Sequence, residues 1–184
     1  MEELLEKFKK ISIEISNLFN GGLGENIEST SINKSGDVQD SIDILSNNIF
    51  KEYLELSPSV HSFASEEEND IVKVNEDGKY FVVFDPLDGS QNIKSNLILG
   101  SIFGVFETTP DKIVNGRQMV AAGYMIYGPA LQLVFAYNKK VTLYRYNRTK
   151  GEFEIEQNNM KLPYEGKFYS VNESNRDKWI SDRI

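Results

Sequence analysis

A change of periodicity near residue 60 constrains the fold of this chain more than any other feature. Two segments before it, residues 4–19 and 42–54, carry apolar residues at helical spacing. After it come short β-rich runs separated by turn residues: VHSFAS, KYFVVF, LGSIFGVFE, QMVAAGYMIYG, LQLVFAY, KVTLYRY and EFEIEQ. Helices followed by strands predict an α+β fold, a layered sandwich of two N-terminal helices packed on a mostly antiparallel sheet.

Turn residues set the boundaries of these elements. The first helix is predicted to end at Asn-Gly-Gly, residues 20–22, and a polar loop, LGENIESTSINKSGD, follows it. The run LQLVFAYNKKVTLYRY predicts a hairpin that turns at residues 138–140. Because no repeat or linker interrupts the chain, residues 1–184 are predicted to form one domain.

Composition excludes several classes of function. The net charge of −8 disfavours nucleic acid and anionic membranes as partners. With no cysteine, the chain has no disulfide, thiolate metal site or cysteine nucleophile, and His61 alone cannot build a histidine cluster. The N-terminus is too charged for a secretory signal, and no 18-residue apolar run is present, so a cytoplasmic location is expected.

Acidic residues gather in three clusters: Asp37, Asp40 and Asp43; Glu66, Glu67 and Glu68; Asp85 and Asp88. Each cluster has an ordinary interpretation. The first is typical of a helix N-terminus, the second of a solvated loop, and the third of a plain Asp-Pro-x-Asp-Gly turn that ends a strand.

Two of these clusters directly follow apolar strands, where a sheet commonly presents ligand-binding groups. An ionised carboxylate at the end of a buried strand is costly unless something pairs with it. Carboxylates without a nearby cysteine or histidine suit Mg²⁺ or Mn²⁺. Pro86 is expected to turn the chain so that Asp85, the Leu87 carbonyl and Asp88 converge, and Gly89 to let a ligand approach the following backbone.

Motifs along almost the whole chain carry a family resemblance. SEEE followed by DPLDGS resembles the lithium-sensitive, metal-dependent sugar and inositol phosphatases. The chain most resembles the class I fructose-1,6-bisphosphatases within that group, through these segments in order: GDVQDSIDILSNNIF, DPLDGSQNI, LGSIFGVF, VAAGYMIYG and FYSVNESN.

The resemblance implies a role for each acidic cluster. The implied metal ligands are Glu66, Asp85, Asp88 and the main-chain oxygen of Leu87. Glu67 and Asp43 match the pair that polarises the attacking water. Asp37 matches an acidic residue near an additional metal.

Substrate and regulatory positions are implied in the same way. The loop formed by Gly89, Ser90 and Gln91 would cradle the 1-phosphate, and Asn172 would contact the 6-phosphate. The family usually has serine at the position of Gln91, so any role there rests on its backbone. Lys79 and Tyr80 match an AMP-contacting pair, although the favoured interpretation is an edge charge and an ordinary strand residue.

The implied activity is Mg²⁺-dependent hydrolysis of fructose 1,6-bisphosphate to fructose 6-phosphate and phosphate, in gluconeogenesis, with Mn²⁺ or Zn²⁺ as alternative ions. The resemblance also implies a homo-oligomer, tetramer or dimer, and a C-terminal half outside this chain that would complete the active site. Alternatives are a sedoheptulose-1,7-bisphosphatase, an inositol-type phosphatase, or an inactive metal-binding, nucleotide-binding or half-enzyme module.

Overall fold

The computed structural model describes residues 1–20, 38–107, 110–112 and 115–166. The two helices are α1 (Glu2–Asn20) and α2 (Val38–Glu55). The strands are β1 (Val60–Ser65), β2 (Val72–Lys73), β3 (Tyr80–Asp88), β4 (Leu99–Phe106), β5 (Met119–Tyr127), β6 (Leu131–Tyr137), β7 (Lys140–Asn147) and β8 (Glu152–Gln157). Three short 3-10 helices span Ser90–Ser95, Pro110–Lys112 and Gly116–Gln118. Both predicted helices and every predicted strand are confirmed; among the strands of the described residues, the two-residue β2 was missed, and the three 3-10 helices were not predicted.

All eight strands belong to one sheet in the order β2-β1-β3-β4-β5-β6-β7-β8. Neighbouring strands run antiparallel except β1 and β3, which are parallel. The prediction of a mostly antiparallel sheet is therefore confirmed. Because β1 and β3 run parallel, their carboxyl ends lie at the same end of the sheet, and the residues that follow each strand come close together.

The predicted β6–β7 hairpin is confirmed in its location. Tyr137 pairs with Lys140, so only Asn138 and Lys139 form the turn. Both have positive φ, 49° and 61°, the backbone that a two-residue turn needs to match the twist of its strands. Asparagine adopts this conformation more readily than most residues, which explains its place in the turn.

Aromatic stacking joins the helices to one face of the sheet. Phe84 and Phe103 are cross-strand neighbours on β3 and β4. Phe50 of α2 stacks on Phe84 with ring centroids 4.4 Å apart, and Phe8 of α1 stacks on Phe103 at 3.8 Å. Since Phe8 and Phe50 are fully buried, these contacts fix the position of both helices over the central strands.

Gly123 permits this packing. It lies on β5 between Phe103 of β4 and Phe135 of β6. A Cβ atom there would lie 2.4 Å from Cζ of Phe103 and 2.4 Å from the carbonyl oxygen of Val134. Only glycine leaves room for the Phe103 ring beneath α1.

The opposite face of the sheet carries an apolar groove of about 780 Å³. Ala64, Val83, Ile102, Tyr124 and Val134 contribute to its lining, and Ile102 is half exposed there. Glu66 and Asp85 line the same groove. Within the described ranges, neither α1 nor α2 is long and apolar enough to cross a membrane.

Candidate active site

The parallel pairing of β1 and β3 brings two acidic clusters together. Ser65, the last residue of β1, pairs with Phe84. The Glu66 N–H then donates to the Phe84 carbonyl at 3.0 Å, which continues the parallel ladder by one residue. Glu66 therefore lies beside Asp85, although 18 residues separate them in the chain.

The segment 85–88 is a bulge inside β3 and not a turn after it. Asp85 pairs with Ile102 and Asp88 with Gly100, so two residues of β3 face a single residue of β4. The prediction that the strand ends at Phe84 is wrong, because pairing with β4 resumes after the proline. Pro86 is tolerated since a bulge does not need its missing N–H.

Asp85 stabilises the bulge through its side chain. Its Oδ1 accepts a hydrogen bond of 3.0 Å from the Leu87 N–H. Asp85 is half-buried, Leu87 is buried and Asp88 is exposed. The bulge thus presents one partly desolvated and one solvated carboxylate at the same edge of the sheet.

Electrostatics at Asp85 favour a cation. Burial raises the pKa of Asp85 above its ordinary value, and the negative charges of Glu66 and Asp88 add to that rise, while the bond from the Leu87 N–H opposes it. Ionising Asp85 is therefore costly in the metal-free protein, and a cation placed among these groups would remove the cost.

Helix α2 anchors the segment 66–68. Asn47 donates to Glu68 Oε1 at 2.9 Å and accepts from the Ser65 hydroxyl at 2.7 Å. Lys51 also donates to Glu68 Oε1, at 2.6 Å. The hydrogen bond from Lys51, and to a smaller extent that from Asn47, holds the pKa of Glu68 below its ordinary value. Glu68 is thus a structural anchor, which leaves Glu66 and Glu67 exposed.

The anchoring role of Asn47 and Lys51 was not predicted from the sequence. Its signal was available: Asn47 and Lys51 are four residues apart, and so share one face of α2. Asn47 is only 6% exposed, which is unusual for a polar residue without a structural or functional partner.

Asp43 belongs to the same region. It lies one helical turn before Asn47, and its Oδ1 atom is buried. Helix α2 also packs on the 3-10 helix Ser90–Ser95. The part of α2 around Asn47, the end of β1 and the bulge in β3 therefore meet at one end of the sheet. Glu67 lies there too, with its N–H donating to the Ser65 hydroxyl at 3.2 Å.

The predicted phosphate loop forms the start of the 3-10 helix. Gly89 precedes the helix with φ of 79°, a left-handed conformation that favours glycine. The first hydrogen bond of this turn runs from the Asn92 N–H to the Gly89 carbonyl at 2.7 Å. Ser90 and Gln91 lie within the turn, directly after the bulge.

The remaining predicted residues lie elsewhere. Tyr80 is buried at the beginning of β3, at the other end of that strand. Lys79 is exposed, and its Nζ lies 2.8 Å from Glu107. A buried strand residue and an exposed edge charge are the ordinary roles that the sequence indicated for Tyr80 and Lys79. AMP binding by the pair stays a prediction. Asp37 and Asn172 lie outside the described residues.

The donor chemistry of the edge fits Mg²⁺. In the part of the chain that the structure describes, no three acidic or histidine residues are close enough to hold a metal ion by themselves. Mg²⁺ does not require such a cage, because it is usually bound by one or two carboxylates together with water and substrate phosphate oxygens. Asp85, with Glu66 and Asp88 near enough to raise its pKa, meets that requirement.

Comparison with protein families gives a consistent result. The sequence matches the model described as the fructose-1,6-bisphosphatase N-terminal domain over residues 2–158. It is 40% identical over 154 residues to a class 1 fructose-1,6-bisphosphatase of Neisseria meningitidis, a match that covers 80% of this chain and 47% of the relative. A class 1 enzyme of Idiomarina loihiensis is 39% identical over 166 residues, covering 86% of this chain and 50% of the relative.

Solved structures share the fold. The holo form of Leishmania major fructose-1,6-bisphosphatase is similar with a TM-score of 0.82 and 32% identity, covering 96% of this chain and 56% of that one. The same enzyme in its T-state gives a TM-score of 0.79 at 31% identity, covering 97% and 58%. This chain spans about half the length of the curated relatives it matches.

Proposed function

Because the chain belongs to the fructose-1,6-bisphosphatase family, we propose that it supplies the metal-holding part of a Mg²⁺-dependent hydrolase that removes the 1-phosphate of fructose 1,6-bisphosphate. The products would be fructose 6-phosphate and phosphate, a reaction of gluconeogenesis. One observation carries the proposal: within the matched region, the parallel β1–β3 pair brings Glu66 beside the Asp85 bulge.

The residues of this edge suit the binding of a divalent cation. Asp85, Asp88, Glu66 and the main-chain oxygen of Leu87 would hold it, with Mn²⁺ or Zn²⁺ as alternatives. When bound, Mg²⁺ supplies neutralisation of phosphate charge and a lower pKa for water. In a chain with a net charge of −8, such local neutralisation favours the binding of a phosphate ester.

Glu67 and Asp43 would take up the proton of the attacking water. Glu67 is exposed directly after β1, and Asp43 lies in α2 one helical turn before Asn47, so the pair would come from two different elements. A carboxylate within hydrogen-bond reach of the water is the geometric requirement for a general base. The turn formed by residues 89–91, next to the bulge, would receive the phosphate group through its backbone N–H groups.

Metal binding is tested first, by titrating the chain with Mn²⁺ and measuring the concentration of free Mn²⁺ by electron paramagnetic resonance. Glu66→Gln should weaken binding at least about tenfold, because a ligand charge is lost while the size of the side chain is kept. The matched control is Glu76→Gln, which changes an exposed glutamate in the loop between β2 and β3. Equal titration curves for the two variants would contradict the assignment.

Phosphate release tests the reaction. The substrates compared are fructose 1,6-bisphosphate, sedoheptulose 1,7-bisphosphate and inositol 1-phosphate, each with Mg²⁺. Release should be fastest from fructose 1,6-bisphosphate and should fall by a factor of about 100 or more in Glu67→Gln, the usual effect of losing a general base. Faster release from inositol 1-phosphate would favour an inositol-type phosphatase. Each assay is run with and without an added C-terminal half. Metal binding without release from any substrate in either case would limit the function of this chain to metal binding.

A further inference from the structure

Two buried hydroxyl groups lie behind the bulge of β3. Ser101 on β4 is fully buried, and its hydroxyl donates to the Pro86 carbonyl at 2.7 Å. Tyr127 on β5 is also buried, and its hydroxyl oxygen lies 2.6 Å from Ser101 Oγ. None of the acidic clusters contains either residue, and both come from strands that carry no predicted site residue.

The hydrogen bonds have one consistent direction. A carbonyl oxygen only accepts, so the Ser101 proton points to Pro86. The Tyr127 hydroxyl therefore donates its hydrogen bond to Ser101 Oγ. The other neighbour of the Tyr127 hydroxyl, Met125 Sδ at 3.2 Å, is only a weak acceptor. Burial raises the pKa of Tyr127 above its ordinary value, which keeps the phenol protonated and able to donate.

The Pro86 carbonyl occupies the irregular part of the strand. Between the pairs Asp85–Ile102 and Asp88–Gly100, β3 has two residues and β4 has only Ser101. Regular ladder hydrogen bonds are interrupted there, and a buried carbonyl left without a donor would be costly. The Ser101 hydroxyl supplies that donor, and Tyr127 restricts the direction in which it points.

We propose that Ser101 and Tyr127 are positioning residues, which fix the Pro86 carbonyl and so set the relative placement of Asp85, the Leu87 carbonyl and Asp88. This inference rests on the proposed metal-binding function for its biological meaning. Its structural content, that the hydroxyl pair orders the bulge, does not depend on the metal. Outer groups of this kind orient the ligands of a metal, and their loss typically weakens metal binding by a factor of about 10 to 100.

Mn²⁺ affinity gives the first test. Ser101→Ala should raise the Kd about tenfold or more, and Tyr127→Phe should raise it less, because Ser101 still reaches Pro86. Ser101→Thr keeps the hydroxyl and should restore the Kd to within about twofold of the parent chain.

The matched control is Ser12→Ala in α1. Ser12 is also fully buried and donates to a backbone carbonyl, that of Lys9, at the same 2.7 Å. The Ser12→Ala variant should lower the melting temperature about as much as Ser101→Ala does, but it should leave the Kd for Mn²⁺ unchanged. An equal change of Kd in both variants would overturn the proposal, since general loss of stability would then explain it.

Amide hydrogen exchange in EDTA gives the second test, without metal. Ser101→Ala should accelerate exchange of the Leu87 amide about tenfold more than exchange of the Val82 amide in the same strand. Equal acceleration of both amides would overturn the proposal. If the parent chain binds no Mn²⁺, the proposed function fails and exchange alone decides the positioning role. If Ser101→Ala does not fold, Tyr127→Phe decides by the same comparison of the two amides.

Discussion

Asp85→Asn should stabilise the metal-free protein and destabilise the metal-bound one. Asparagine retains an oxygen that accepts from the Leu87 N–H, so the bulge keeps its hydrogen bond. The substitution removes the negative charge that is partly buried near Glu66 and Asp88. One change therefore has opposite effects in the two states.

The magnitude follows from simple electrostatics. Two unit charges about 6 Å apart, at an effective dielectric constant of about 40, repel by roughly 1.4 kcal/mol. Salt screens the exposed Glu66 and Asp88 charges, which leaves about 1 kcal/mol in total. For a chain of 184 residues this raises the Tm in EDTA by about 2–4 °C. At a metal concentration of about 100 times Kd, the parent chain gains about 2.7 kcal/mol and its Tm rises by about 5–10 °C.

Calorimetry of both proteins, with EDTA and with Mg²⁺, measures the expected crossing of their stabilities. The Asp85→Asn variant should have the higher Tm in EDTA. The parent chain should have the higher Tm with Mg²⁺. Asp77→Asn in the exposed turn before β3 serves as the control and should change neither value. An Asp85→Asn variant that is less stable in EDTA, or that keeps the full metal effect, would refute the reasoning.

The pH dependence has a defined sign. The pKa of Asp85 is raised in the folded state, so the folded protein binds more protons there than the unfolded chain does. Stability therefore falls as pH rises from the ordinary aspartate value near 3.8 through the raised folded pKa. The advantage of Asp85→Asn in EDTA should be present at neutral pH and should disappear below that ordinary value.

Three further predictions concern the scaffold. Phe50→Ala should cost about 3–5 kcal/mol in urea unfolding, since it removes a fully buried ring; a cost below about 1 kcal/mol would contradict the packing. Gly123→Ala should cost about 1–3 kcal/mol because its Cβ would overlap Phe103, and unchanged stability would show that the ring has room to move. Glu68→Gln should cost about 0.5 kcal/mol near neutral pH, the value of a solvent-screened pair with Lys51. Since the pKa of Glu68 is lowered, that difference should vanish as pH falls below about 4.5, and a constant difference would argue against the ion pair.

Much of the fold could be predicted because its signals are local. In α1, Leu4, Phe8, Ile11 and Ile15 are all fully buried, and their spacing of three and four residues marks one face of a helix without any knowledge of what covers it. The β6–β7 turn was equally predictable, because Asn138 tolerates positive φ between two apolar runs. The two-residue β2 was missed since so short a strand has no period to recognise.

The candidate site was predicted only in part. Motifs and strand ends pointed to Glu66, Asp85 and Asp88, and these are neighbours in the structure. The residues that hold them in place were missed, among them Asn47 and Ser101. Each acts on a segment 15 or more residues away, through one or two side-chain hydrogen bonds that leave no periodic trace in the sequence.

The sequence by itself determined the inward face of α1, where the strands longer than two residues lie, and which carboxylates are candidates to share a cation. Tertiary structure alone decided that β1 runs parallel to β3, that the strand continues through Pro86, and that Ser101 supplies the donor for its carbonyl. The physical reason is that side-chain alternation depends on the local backbone. Strand partners and buried hydrogen bonds depend instead on which distant segments the folded core brings into contact.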